Sequence, residues 1–133
     1  MFTARTGLEV TDIGFVEHPT IEWCGASPDG IIRSENHLIE IKCPTSARMI
    51  EWWLAGANYI PEEYKPQMTL QSACMGGLPV YFCAFDPRLP EKQQIIIRKY
   101  APTEEEISTV ETMAKNFLAE IERSEEQRLN SSH

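Results

Sequence analysis

The stretch that decides the fold is "GASPDGIIRSENHLIEIKCPTS", residues 25–46. Two β-prone runs, Gly30–Arg33 and Leu38–Cys43, flank a polar tip at Ser34-Glu35-Asn36 and read as a hairpin. Pro44 stops the second strand, and Thr45 or Ser46 then caps a helix. Charged residues rarely interrupt a run such as Leu38-Ile39-Glu40-Ile41-Lys42-Cys43 unless they are paired or hold a metal. Side chains alternate along a strand, so Glu40 and Lys42 share one face while Ile39 and Ile41 take the other. With Ile32 facing His37, Asp29 falls opposite Glu40 and Ser27 opposite Lys42, at Cβ separations of about 4.5–5.5 Å.

Two carboxylates so opposed destabilise a sheet and need compensation. Mg²⁺, or Mn²⁺ in its place, would supply it, because hard cations take carboxylate oxygens together with water and substrate phosphate. Lys42 beside such an ion would hold an attacking water or a scissile phosphate. The plain alternative is a Glu–Lys pair on a solvated strand. The facing Asp29 and the apolar neighbourhood argue for the metal site.

Outward from this hairpin, Leu8–Phe15 alternates loosely and Thr20–Trp23 is β-prone, so both are expected to be strands. The capped helix runs through Met49, Ile50, Trp53 and Leu54 toward Gly56, and a loop covers residues 57–62. A second helix is expected from about Glu63 to Met75, with Pro66 in its first turn and Gly76-Gly77 at its end. Val80–Phe85 and Gln94–Lys99 read as strands joined through Asp86-Pro87-Arg88. Thr103-Glu104-Glu105-Glu106 is a capping box, followed at helical spacing by Ile107, Val110, Ala114, Phe117 and Ile121. The order β-β-β-β-α-α-β-β-α predicts an α+β fold: a mixed sheet with helices packed on it. One domain is expected over residues 1–125, with a flexible tail over 126–133.

A chain of 133 residues closes one core, and its composition is globular. No apolar run approaches a membrane span, and the start lacks the apolar core of a signal peptide, so a cytoplasmic protein is expected. Four cysteines without a C-x-x-C pair predict buried reduced thiols rather than zinc or disulfides. The net charge of −8 is concentrated at one end: residues 103–133 carry eight acids against three bases, the rest twelve against nine. The acidity is therefore mostly a solvated terminal segment and does not exclude a nucleic-acid site elsewhere.

Gln67 and Gln71 lie four apart on one helical face. Trp52 and Trp53 point in different directions: one is expected in the core, and the other stacks on a base or fills a subunit contact, with core or interface preferred for both. Arg48 is equally a surface residue or a phosphate contact, Arg88 braces its own loop, and His18 and His37 are structural. No nucleophile elbow, P-loop or dinucleotide fingerprint is present.

The blocks "SPDG", "EIKCP", "YKPQ" and "FDPR" resemble, in order over residues 7–100, the lambda exonuclease and YqaJ-type viral recombinase family of the PD-(D/E)xK superfamily. The resemblance implies a restriction-endonuclease-like core and a Mg²⁺-dependent 5′-to-3′ exonuclease acting on duplex DNA ends in phage recombination. By position it implies Asp29 and Glu40 as metal-binding acids, the Ile41 carbonyl as a third metal contact, and Lys42 as the catalytic lysine. Ser27 and Gln67 match residues that hold a terminal 5′-phosphate. A ring of three copies and a single-strand annealing partner are further implications. The chain resembles the carboxy-terminal two-thirds of such a nuclease; the family's upstream helical region, with a further glutamate and basic residues, has no counterpart in it. The loop Glu22–Ala26 is shorter than the family's acidic loop before SPDG. The rival readings are an endonuclease or resolvase of the same fold and an inactive remnant serving as a binding or assembly module.

Overall fold

A computed structural model describes residues 2–131. Its centre is a four-stranded sheet of order β3-β4-β5-β6, formed by Gly30–Ile32, His37–Lys42, Val80–Phe85 and Ile95–Tyr100. β3–β4 and β5–β6 are antiparallel hairpins; β4 and β5 are parallel. A parallel neighbour requires a crossover, and here it carries two helices, α2 (Ser46–Leu54) and α3 (Lys65–Cys74). The mixed sheet with helices packed on it is the architecture expected from the sequence.

The hairpin register is the expected one, with Ile32 facing His37 and Gly30 facing Ile39. Side-chain alternation divides the core accordingly. Leu38, Val80, Phe82, Ala84 and Ile96 pack with Met49, Trp52 and Met68 of the crossover helices. On the opposite face, Ile32, Ile39 and Cys83 pack with Phe2 of α1 (Phe2–Thr6), and Leu8 and Val10 cover them. Glu40 and Lys42 therefore sit on the face that the crossover helices cover.

Both helices begin where local chemistry dictates. The Thr45 hydroxyl accepts the Arg48 N–H at 3.3 Å, a cap worth about 1 kcal/mol. Pro66 lies in the first turn of α3, where its missing N–H costs nothing. Trp52 is buried, while Trp53 is partly exposed and donates its indole N–H to the Gln93 carbonyl at 2.8 Å. Arg98 on β6 lies buried beneath the end of α2 and donates to the carbonyls of Trp52 and Tyr59. Burial pulls its guanidinium below its ordinary pKa.

The first third of the chain departs from expectation. Leu8–Phe15 is no strand; it crosses the sheet as an extended segment that touches it at one bridge, Thr11 to Ile31. Leu8 and Val10 pack on one face of the sheet and Ile13 against the core on the other, while Phe15 is exposed, so the alternation arises without a ladder. Gly30 makes room for this crossing, since a Cβ there would lie 2.5 Å from Val10 Cγ1 and 3.0 Å from the Thr11 carbonyl oxygen. Thr20–Trp23 is a turn rather than a strand, and the short pair β1 (Val16–Glu17) and β2 (Gly25–Ala26) forms on either side of it. His18 closes the turn: its Nδ1 accepts the N–H groups of Thr20 and Ile21, both at 3.1 Å, so Nε2 donates to Glu111 at 2.5 Å. Trp23, at φ 63° and 92% exposed, is presented by this turn to solvent.

The last strand starts one residue later than expected, at Ile95. The helix α4 (Glu104–Ser131) opens on the expected capping box, with Thr103 and Glu106 exchanging bonds at 3.0 and 3.1 Å. It continues as helix through Ser131, past Glu125, where the sequence suggested a loose tail; Ser132 and His133 lie outside the described residues. No described helix is long and apolar enough to cross a membrane. All four thiols are free; Cys74 and Cys83 are buried, with burial pushing each up to about 11, but Cys43 is exposed.

Candidate active site

The open end of the β3–β4 hairpin gathers the charged residues. Regular pairing stops at Gly30 and Ile39. Beyond it the Asp29 N–H donates to the Ile39 carbonyl at 3.1 Å, and the Asp29 carboxylate accepts the Ile41 N–H at 2.6 Å. Asp29 thus leaves the ladder instead of pairing directly with Glu40, and its exposed side chain turns back on the edge of β4. In a strand the N–H and C=O of one residue point to the same edge, so the Ile41 carbonyl shares the edge that Asp29 occupies.

Glu40 is 4% exposed, set between Phe82 on β5 and the α3 helix. Burial disfavours its charge and lifts its pKa, the Gln71 hydrogen bond lowers it, Asp29 raises it again and Lys42 opposes. The Lys42 ammonium lies 3.3 Å from Glu40 Oε1 and 4.6 Å from the centre of the Tyr64 ring. Tyr64 in turn stacks on Phe82 at 5.9 Å, which fixes the aromatic wall behind the lysine. A short, partly buried ammonium held between a carboxylate and a ring face is pre-oriented for an anion.

The two residues expected at a terminal phosphate stand apart from this network. Ser27 and Gln67 are both exposed and make no side-chain hydrogen bond among the described residues. The ladder ends before Ser27 could oppose Lys42, because Pro28 removes a donor and Asp29 leaves the register. Arg48 pairs with Glu63 and lies over the Trp52 ring. Arg88 donates to Asp86 at 2.8 Å and to the Pro44 carbonyl at 3.0 Å, bracing its loop as expected.

Sequence reasoning missed the role of Gln71. This side chain is fully buried, and its Nε2 donates to Glu40 Oε2 at 2.5 Å. The available signal was its spacing three residues after Met68, which places an amide on the apolar stripe of α3. Asp86 was also read only as a turn residue. It is fully buried and ties the sheet to α2 by accepting the Ser46 hydroxyl at 2.6 Å.

The family model for the YqaJ-like viral recombinase domain matches residues 1–77. Among solved structures, the chain is similar to an alkaline exonuclease from Laribacter hongkongensis at 37% identity and a TM-score of 0.91, covering 98% of this chain. A crystal structure of the same exonuclease in complex with dAMP matches at 38% identity and a TM-score of 0.87, over 95% of this chain. The chain spans 66% and 63% of the length of those two exonuclease chains. No curated protein matches it. Their fold is the restriction-endonuclease-like one, here a mixed sheet with its charged hairpin at one end. By both its sequence and its fold the chain belongs to the YqaJ-like viral recombinase domain family.

Proposed function

We propose that the chain is the nuclease core of a Mg²⁺-dependent 5′-to-3′ exonuclease that hydrolyses double-stranded DNA from its ends. The observation that carries this reading is the convergence of the Asp29 and Glu40 carboxylates with the Lys42 ammonium at one end of the sheet. The likeness to an alkaline exonuclease supports a nuclease reaction.

The donor set fits a hard divalent cation. Asp29 and Glu40 offer carboxylate oxygens and Ile41 a carbonyl on the same edge, a set of hard oxygen donors. Glu40 pays for burial and for the Asp29 charge beside it, and a cation between them would relieve both. Mg²⁺ bound there supplies Lewis-acid polarisation of a phosphate oxygen and a water of lowered pKa.

The remaining work belongs to the protein. Lys42, held at a fixed height by Glu40 and Tyr64, donates to a phosphate oxygen or to the attacking water and stabilises the charge that develops in the transition state. Ser27 and Gln67, exposed and without side-chain hydrogen bonds among the described residues, would donate to a terminal 5′-phosphate. Duplex DNA ends are the substrate, and a ring of three copies and a single-strand annealing protein are the proposed assembly partners.

The test is cleavage by the purified chain of linear duplex with 5′-phosphate or 5′-hydroxyl ends and of closed circular duplex, each with Mg²⁺ and with EDTA. The proposal expects Mg²⁺-dependent loss of linear duplex only, faster from phosphorylated ends. Cleavage of circles would favour an endonuclease, and Mg²⁺ binding without cleavage an inactive binding module.

A further inference from the structure

The orientation of Glu40 is set in part from outside its own strand. Gln71 Nε2 donates to Glu40 Oε2 at 2.5 Å, while Gln71 Oε1 is buried with no hydrogen-bond partner among the described residues. With the amide turned over, its oxygen would face a carboxylate oxygen, so the bond to Glu40 requires the NH₂ end of Gln71 to meet the acid. Glu40 Oε1 faces the Lys42 ammonium at 3.3 Å. The carboxylate is thus held by two donors from two elements, one on each oxygen, and cannot rotate about its own axis without losing both. The helix that carries Gln71 is itself anchored two residues earlier, at Thr69. Thr69 Oγ1 lies 2.8 Å from the Tyr100 hydroxyl of β6, which donates to Glu106 at 3.0 Å.

We propose that Gln71 is a positioning residue that fixes the Glu40 carboxylate in the orientation from which it binds the divalent cation. The inference rests on the reading of Asp29 and Glu40 as the cation site. Outer partners that orient a ligand typically contribute ten- to a hundredfold in metal affinity. A side chain that merely fills the core behaves differently: methionine matches its volume and removes an acceptor that has no donor.

The experiment is titration calorimetry of the full chain with Mn²⁺, for wild type, Gln71→Met, Gln71→Ala, Asp29→Ala and Glu40→Ala, with melting curves of each in metal-free buffer. Donor loss is common to both Gln71 variants, so each should bind Mn²⁺ roughly tenfold or more weakly than wild type. Gln71→Met should also melt higher than Gln71→Ala, because only alanine opens a cavity. Wild-type Mn²⁺ affinity in Gln71→Met overturns the inference, as does a Gln71→Met protein that melts below Gln71→Ala. If Asp29→Ala and Glu40→Ala both keep wild-type affinity, the cation site itself is misassigned and the inference falls with it.

Discussion

Two buried carboxylates, Glu40 and Asp86, sit on the same domain under opposite electrostatic conditions. Asp86 is completely enclosed, yet the Ser46 hydroxyl and the Arg88 guanidinium hold its carboxyl below the ordinary range. Its oxygens accept from Ser46, from the Arg88 Nε and from the Arg88 backbone N–H. Glu40 is nearly as enclosed but is lifted above the ordinary range, since one amide and one ammonium do not offset burial and a neighbouring acid. A carboxylate whose own chain supplies every partner braces a fold. One left short of charge compensation is arranged for something that arrives from outside.

The sharpest way to break this contrast is to neutralise each acid in turn. Glu40→Gln and Asp29→Asn should lower Mg²⁺-dependent cleavage by at least about a hundredfold. Glu40→Gln should nonetheless leave the metal-free melting temperature unchanged or higher, since the amide keeps the volume and loses the unfavourable charge. Asp86→Asn should do the reverse, lowering the melting temperature while keeping cleavage close to wild type below that temperature. Cleavage rates and melting curves on the three variants check it; an Asp86→Asn protein that melts normally but is inactive would erase the distinction.

Next in size is the lysine. Lys42→Ala should reduce cleavage about a hundredfold or more while Mn²⁺ still binds, because the ammonium acts on phosphate and nucleophile rather than on the ion. Calorimetry with Mn²⁺ decides it, and loss of binding along with the lysine would move Lys42 into the metal's own support. A smaller effect is expected at the edge of the site: Gln67→Ala should narrow the preference for 5′-phosphorylated over 5′-hydroxyl ends by roughly tenfold, the worth of one charge-assisted hydrogen bond. An unchanged ratio of rates on the two ends would remove Gln67 from end recognition.

The smallest signal is in pH. A depressed carboxyl contributes stability that is present above the ordinary aspartate value, about 3.9, and is lost as pH falls through the lower folded value. A raised one contributes stability below the ordinary glutamate value, about 4.3, that is lost as pH rises through the folded value. In EDTA, the stability of wild type relative to Asp86→Asn should therefore rise with pH, while its stability relative to Glu40→Gln should fall. Parallel curves would show the two acids to be electrostatically alike.

Much of this was legible in the sequence because it is local. The hairpin register follows from a polar tip and a period of two, and α2, α3 and α4 announce themselves by Thr45, Pro66 and the Thr103–Glu106 box. The errors lie where tertiary partners override local pattern. Leu8 and Val10 alternate as a strand would, but they face a sheet rather than extend one. Thr20–Trp23 is β-prone in composition yet is bent by a histidine whose anchor, Glu111, lies 93 residues away. Gln71 could be seen to share a helix with Gln67, but its contact with Glu40 spans 31 residues and depends on how the crossover lays α3 over the sheet.

That crossover has a consequence for the order in which the molecule assembles. The β3–β4 hairpin can close on neighbouring residues alone, so Asp29, Glu40 and Lys42 come together early, in water, where their charges are screened and not yet desolvated. Glu40 is enclosed only when β5 pairs in parallel with β4 and α3 packs over the sheet, bringing in Gln71 from 31 residues away. The desolvation of the acid is thus imposed at a late step, after the hydrophobic face of the crossover has begun to pack. A late-forming contact changes the unfolding rate more than the folding rate. Relieving the charge at position 40 would accordingly make the folded protein longer-lived while leaving the speed of folding almost untouched.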